Sequence, residues 1–186
     1  RSVLPSPIDF LWKALLFHPR LCYNRGSIPA CRRGEGDVFC MEKLTAYINV
    51  TLPELHDLIV TLCGIPAPSH HEEKRAEFCR DWLIRNGADP ARVRIDPALN
   101  TVYEIPGETD EVVIFMAHTD TVFPDMEPLP YHEEGSRMCC PGVGDDTANL
   151  AVLLMLARYV TREGLRPHYT VVFAANSCEE GLGNLK

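Results

Sequence analysis

No apolar run in this 186-residue chain approaches the roughly 20 residues that a membrane-spanning helix needs. The stretch from Ile8 to Phe17 comes nearest, but Asp9 and Lys13 interrupt it and prolines flank it. No small-residue cleavage site follows, so the segment is not read as a secretory signal. A basic stripe is missing too. Lys and Arg number 18 against 26 Asp and Glu, a formal net charge of −8, which leaves nothing to neutralise a nucleic-acid backbone. None of the eight cysteines forms a CxxC pair. The vicinal Cys139-Cys140 suits a disulfide poorly, and Cys63, Cys79 and Cys178 sit in apolar helical or strand patterns. Buried, reduced thiols of a cytoplasmic protein are therefore expected, in preference to a disulfide framework. Internal repeats and low-complexity segments are absent. Neither a membrane nor a nucleic acid is expected as partner.

The length fits one domain. Residues 1–40 carry six basic and three acidic residues, whereas residues 41–186 carry 12 and 23. The early segment also lacks sustained periodicity. We expect residues 1–40 to be a poorly ordered leader or non-native upstream segment, with Met41 as the start of the functional chain. The alternative is a genuine N-terminal arm.

Regular patterning follows. Pro53 to Leu62 is expected to be helical, with Pro53 in the first turn. Ser69 and Glu72 have the spacing of a capping box for a second helix, which Asn86-Gly87 stops. Short strands are expected at Arg92–Ile95 and Asn100–Ile105, and a third near Arg137-Met138-Cys139. The continuous apolar run from Glu111 to His118 predicts a strand covered on both faces. A helix is expected from Asp146 to Glu163 and a further buried strand from Tyr169 to Asn176. This order predicts an α/β fold: a mixed, largely parallel sheet flanked by helices.

Three acidic stretches stand at the ends of these elements: His118-Thr119-Asp120, Gly144-Asp145-Asp146 and Cys178-Glu179-Glu180-Gly181. Delivery of imidazole and carboxylates from separate buried elements is how α/β enzymes assemble a site. Residues i and i+2 of an extended segment share a side, so Asp120 can accept from the His118 nitrogen that faces away from a metal. Asp145-Asp146 reads either as a helix N-cap or as a carboxylate able to bridge two cations. Adjacent Glu179 and Glu180 repel unless positive charge is near. Pointing apart, one can bind metal while the other faces the attacking water. The competing reading of that pair is an exposed acidic turn.

Ala117 to Pro124, Pro141 to Asp146 and Cys178 to Asn184, with Ile65-Pro66-Ala67-Pro68-Ser69 ahead of them, resemble the zinc aminoacylase, glutamate carboxypeptidase and tripeptidase family of co-catalytic metallopeptidases. The resemblance spans Met41 to Lys186 and covers the N-terminal part of that catalytic domain. It implies a three-layer zinc-peptidase-like α/β/α fold, truncated, with the lid domain absent. It further implies that His118 binds one zinc and Asp120 orients it, that Asp145 bridges both zincs across an unusual Asp145-Asp146 backbone, that Glu179 is the general base, and that Glu180 ligates the second zinc. Co2+ or Mn2+ are acceptable substitutes. Two further ligands of the family's pattern, an acid and a His, lie beyond the Glu pair, so each zinc keeps two protein ligands here and the chain itself is expected to be inactive. Thr147-Ala148-Asn149 stands where the family often has Lys and glycines. The implied activity is zinc-dependent hydrolysis of amide bonds in small peptides or N-acyl amino acids, with a homodimer for the complete protein alone. The alternatives are a non-catalytic or degenerate metal-binding fragment and a single-metal α/β hydrolase.

Overall fold

A computed structural model describes residues 35–181, with side chains from Glu42 onward. The expectation for residues 1–40 falls, up to residue 34, outside the described residues. The chain divides into two units, Arg1–Thr51 and Leu52–Lys186. Helix α1 spans Glu35–Cys63. It therefore begins well before Pro53, which lies inside it rather than in its first turn. The proline has no N–H to give to the preceding turn. Close by, the Thr51 hydroxyl donates to the Tyr47 carbonyl at 2.8 Å.

In the second unit, α2 (Glu73–Arg85) ends where Asn86-Gly87 predicts; Gly87 takes the left-handed φ of +106°. A short 3-10 turn at Pro90–Arg92 is capped by the Asp89 carboxylate, which accepts from Ala91 N. Strands β1 (Val93–Ile95), β2 (Thr101–Ile105) and β3 (Thr109–His118) follow, then a separate hairpin of β4 (His132–Glu134) and β5 (Arg137–Cys139). Helix α3 (Ala148–Arg162) and β6 (Tyr169–Asn176) complete the described order. The main sheet runs β1-β2-β6-β3. The α/β class with a mixed sheet flanked by helices is therefore as expected. Among these strands parallel pairing is confined to β3–β6, which α3 connects in the manner of a crossover, while β1–β2 and β2–β6 are antiparallel.

Helix α2 packs on β1 and β2, α3 packs on β3 and β6, and the two helices touch each other. Between them and the sheet lie Tyr103, Val171, Phe173 and Ala175, all buried. Phe173 stacks on Phe115 at 5.6 Å and on Tyr103 at 6.2 Å between ring centroids. The opposite face corrects the expectation for β3. Val112, Ile114 and Met116 are 53–62% exposed, because among the described residues no element covers that side of the strand. Alternation along a half-covered strand, hidden in a run that is apolar at every position, is the physical reason.

Helix α3 carries a buried stripe from Leu150 to Val160. It begins at Ala148, after a wide turn over Val143–Thr147 in which Asp145 and Asp146 are not helical. The pair therefore does not start the helix. Cys63, Cys79, Cys139 and Cys140 are free thiols, and Cys63, Cys79 and Cys178 are buried. Among the described residues no helix is long and apolar enough to cross a membrane.

Candidate metal centre

Parallel pairing fixes the geometry of the site. His118 at the end of β3 lies directly beside Asn176 at the end of β6, so the segments that follow both strands leave the same edge of the sheet. Thr119 N donates to Asn176 O at 2.7 Å and holds the two exits together. Pro68 forms a bridge with Thr121, and Thr121 N donates to Ala67 O. Four segments of distant sequence thus converge: 67–72, 118–121, 143–147 and 177–181.

Asp120 is fully buried at their centre. Its Oδ1 accepts from the backbone N of Glu179 at 3.0 Å, and its Oδ2 from Glu180 N at 3.0 Å and from Ser69 Oγ at 2.7 Å. One carboxylate therefore fixes the backbone that carries the Glu pair. The expected contact with His118 is present in altered form. His118 Nδ1 lies 3.1 Å from the backbone carbonyl of Asp120 and 3.3 Å from its Oδ1. Nδ1–H therefore points to Asp120 and Nε2 is turned the other way.

That outward nitrogen is where the acids gather. Asp145 Oδ1 lies 3.1 Å and Glu179 Oε2 3.9 Å from His118 Nε2. Donor atoms of His118, Asp145 and Asp146 lie within 4.8 Å of one another, and so do those of His118, Glu179 and Glu180. His118 is common to both sets. Burial pulls its imidazole pKa down, but the hydrogen bond with Asp145 and the charges of Asp146 and Asp120 outweigh burial and leave it raised. Asp145 itself is 80% exposed on its side chain, with a carboxylate open to a ligand.

The Asp145-Asp146 peptide is cis. Asp146 accepts from His118 N at 3.1 Å through Oδ2, and Asn149 Nδ2 donates to its Oδ1. The N-cap reading of the pair fails, since neither carboxylate caps α3. Gly142, at φ +74°, permits the turn that delivers the pair, and a Cβ there would sit 2.8 Å from Thr121 Cγ2.

Sequence reasoning missed three supporting residues. Ser69 and Glu72 read as a capping box, yet α2 has no side-chain cap. Ser69 serves Asp120, and the buried Glu72 accepts from Cys178 N at 2.9 Å through Oε1. Arg75, 2% exposed, donates to the carbonyls of Leu62, Ile65 and Thr119 and to the Thr147 hydroxyl. An arginine inside an apolar helix face was the available signal, because such a group is buried only with partners.

The donor set of one imidazole and several carboxylates, with no thiol, suits a borderline divalent cation held by nitrogen and oxygen. Two ligand atoms on a tetrahedral ion with bonds of about 2.0–2.2 Å stand about 3.4 Å apart. The 3.1 Å between His118 Nε2 and Asp145 Oδ1 is close to that edge.

Residues 100–183 match the sequence model of Peptidase family M28. Over 83 residues the chain is 30% identical to carboxypeptidase G2 of Pseudomonas sp. (strain RS-16), a match covering 44% of this chain and 20% of that protein. Its fold is similar to aminopeptidase PepT from Bacillus cereus ATCC 10987, with TM-score 0.55 and 20% identity over 68% of this chain and 36% of that one. It is similar also to human carnosine dipeptidase 1, with TM-score 0.63 and 16% identity over 76% and 35%. The chain thus spans about a fifth of the curated relative and about a third of each solved structure. The chain is therefore similar to Peptidase family M28 over residues 100–183 and to a carboxypeptidase over 83 residues, and its α/β fold is similar to that of solved peptidases.

Proposed function

We propose that the chain supplies the metal-binding and proton-handling residues of a metal-dependent peptidase that cleaves amide bonds of small peptides or N-acyl amino acids. The observation that carries this is the approach of Asp145 and Glu179 to the outward nitrogen of His118, with Asp146 and Glu180 in the two donor groups that share this histidine. The similar proteins, a carboxypeptidase, an aminopeptidase and a dipeptidase, support the substrate class.

His118 and Asp145 are assigned to one cation, and Asp145 and Glu180 to a second, with zinc the preferred ion. When bound, the pair supplies positive charge that polarises an amide carbonyl and acidifies water. The chain's own residues do the rest. Asp120 sets the tautomer of His118 and holds the Glu179-Glu180 backbone. Glu179, exposed on its side chain and near His118 Nε2, removes the proton from the attacking water at its carboxylate. The same oxygen then returns that proton to the departing amine.

The test separates the two glutamates. Glu179→Gln should leave the number and affinity of bound zinc ions nearly unchanged, measured by calorimetry and elemental analysis. Glu180→Gln should lower affinity for the second ion, because a neutral amide is a poor zinc ligand. In protein that turns over dipeptides, tripeptides or N-acetyl amino acids, Glu179→Gln should abolish turnover. Reversed metal contents in the two variants would refute the assignment within the pair.

A further inference from the structure

A second donor cluster lies outside the His118 site, on the β4–β5 hairpin. His132 and Cys139 are direct cross-strand partners, and Glu134 lies two residues beyond His132 in the same strand. The pleat therefore places all three side chains on one face. Their ligand atoms all lie within 4.8 Å of one another. From this geometry we propose that the hairpin binds a borderline divalent cation of the zinc class through His132, Glu134 and Cys139, independently of the peptidase reading.

Three observations support the site. The first is spacing: Glu134 Oε1 is 3.2 Å from His132 Nε2, close to the tetrahedral edge of about 3.4 Å that bonds of 2.0–2.2 Å produce. The second is orientation. Arg137 is the direct cross-strand partner of Glu134, yet the carboxylate turns along its own strand to the imidazole. The third is the need for a fastener. The hairpin has three register pairs, lies outside the main sheet, and exposes every residue of β4. An isolated two-stranded ribbon without an apolar face is marginal in water, and an ion joining His132 and Glu134 of one strand to Cys139 of the other crosslinks it.

The other face of the hairpin is occupied differently. Glu133 accepts from Tyr131 Oη at 2.7 Å and lies 3.0 Å from His56 Nε2, so those groups are committed away from the cluster. The ion therefore has three protein ligands, and water or an external donor fills the fourth position. The thiol of Cys139 is free and half-buried, and it gives up its proton on binding.

The His118 centre offers no sulfur, so a spectroscopic probe distinguishes the two. Metal-free, reduced protein is titrated with Co2+ while the thiolate-to-cobalt charge-transfer band in the near ultraviolet is followed. The band should appear in the parent chain and in Cys140→Ser, Cys178→Ser and Asp145→Asn, and vanish in Cys139→Ser. His132→Ala and Glu134→Gln should weaken Co2+ binding, read from the same band, by at least about 10–100-fold, the loss that removal of even an outer partner brings. All three positions lie at the surface or half-buried, and far-ultraviolet circular dichroism checks that the variants fold. The proposal is overturned if the parent chain shows no band, if the band survives Cys139→Ser, or if His132→Ala leaves the affinity unchanged.

Discussion

Replacing Asp120 by Asn keeps its shape and removes its charge, and the hydrogen-bond inventory then forces a loss. The carboxylate accepts three donors, two of them backbone N–H groups that face different oxygens. An amide offers one carbonyl oxygen and one NH2 group. If the NH2 replaces Oδ1 it faces the N–H of Glu179; if it replaces Oδ2 it faces the N–H of Glu180. Either way one backbone donor is left unpaired in a region where Asp120 is fully buried. That penalty is about 1–3 kcal/mol, and the surviving bonds lose the extra strength of an ionised acceptor. A destabilisation of about 2–4 kcal/mol follows, or roughly 4–16 °C in Tm at about 2–4 °C per kcal/mol for a chain of this size. Urea and thermal unfolding of the metal-free protein measure it. Ser69→Ala should cost less, about 1 kcal/mol, because only one neutral donor is removed. An Asp120→Asn protein within about 0.5 kcal/mol of the parent would refute the view that Asp120 anchors the glutamate loop.

Gly181→Ala should destabilise by about 1–3 kcal/mol and weaken metal binding, since its Cβ would stand 2.7 Å from Ser69 Cβ beside the anchored glutamates; denaturation and calorimetry read both effects. Glu54 ion-pairs with Arg158, whose side chain is 1% exposed, and the hydrogen bond from Arg158, opposed by burial and assisted by the charges of Arg158 and Arg162, lowers its pKa. A depressed folded-state pKa adds stability that is present above the ordinary glutamate value and lost as pH falls through the folded value. Glu54→Gln should therefore cost about 1–2 kcal/mol at neutral pH, discounted for the half-exposed carboxylate, and the difference should shrink in unfolding curves taken at progressively lower acidic pH. Ile114→Lys should raise the concentration at which the chain stays monomeric in sedimentation runs, because it places charge in the exposed row Val112, Ile114 and Met116.

The elements with strong periodicity were legible. The stop at Asn86-Gly87, the strands at Val93, Thr101 and Tyr169, and the stripe of α3 follow from patterns of one or two turns or pleats. So did the meeting of the three acidic stretches, since each closes or precedes a buried element. What escaped had a tertiary origin. An unbroken apolar run such as Glu111 to His118 does not say whether one face or two will be covered. Ser69 and Glu72 have a spacing that fits a local cap, but partners far away in sequence claim both side chains instead. Pro53 reads as a helix start because proline is tolerated there, although α1 already runs through it.

The loops around His118 depend on a helix that bears no acid of the site. Arg75 of α2 carries its guanidinium into a place with 2% exposure, where burial pushes its pKa down. Its partners there are mainly neutral: three carbonyls and a hydroxyl, drawn from the end of α1, the loop before α2, the His118 segment and the turn before α3. A rigid fork of donors can satisfy several carbonyls at once, which a lysine in the same place would not match. The charge of Asp120 opposes the effect of burial only in small part. Arg75 and Asp120 are thus complementary halves of one support. The first collects carbonyl groups behind the site, and the second collects the N–H groups of the glutamate loop in front of it. Because both are buried and their partners come from five separate segments, the exposed carboxylates can be crowded near His118 without the backbone that carries them giving way.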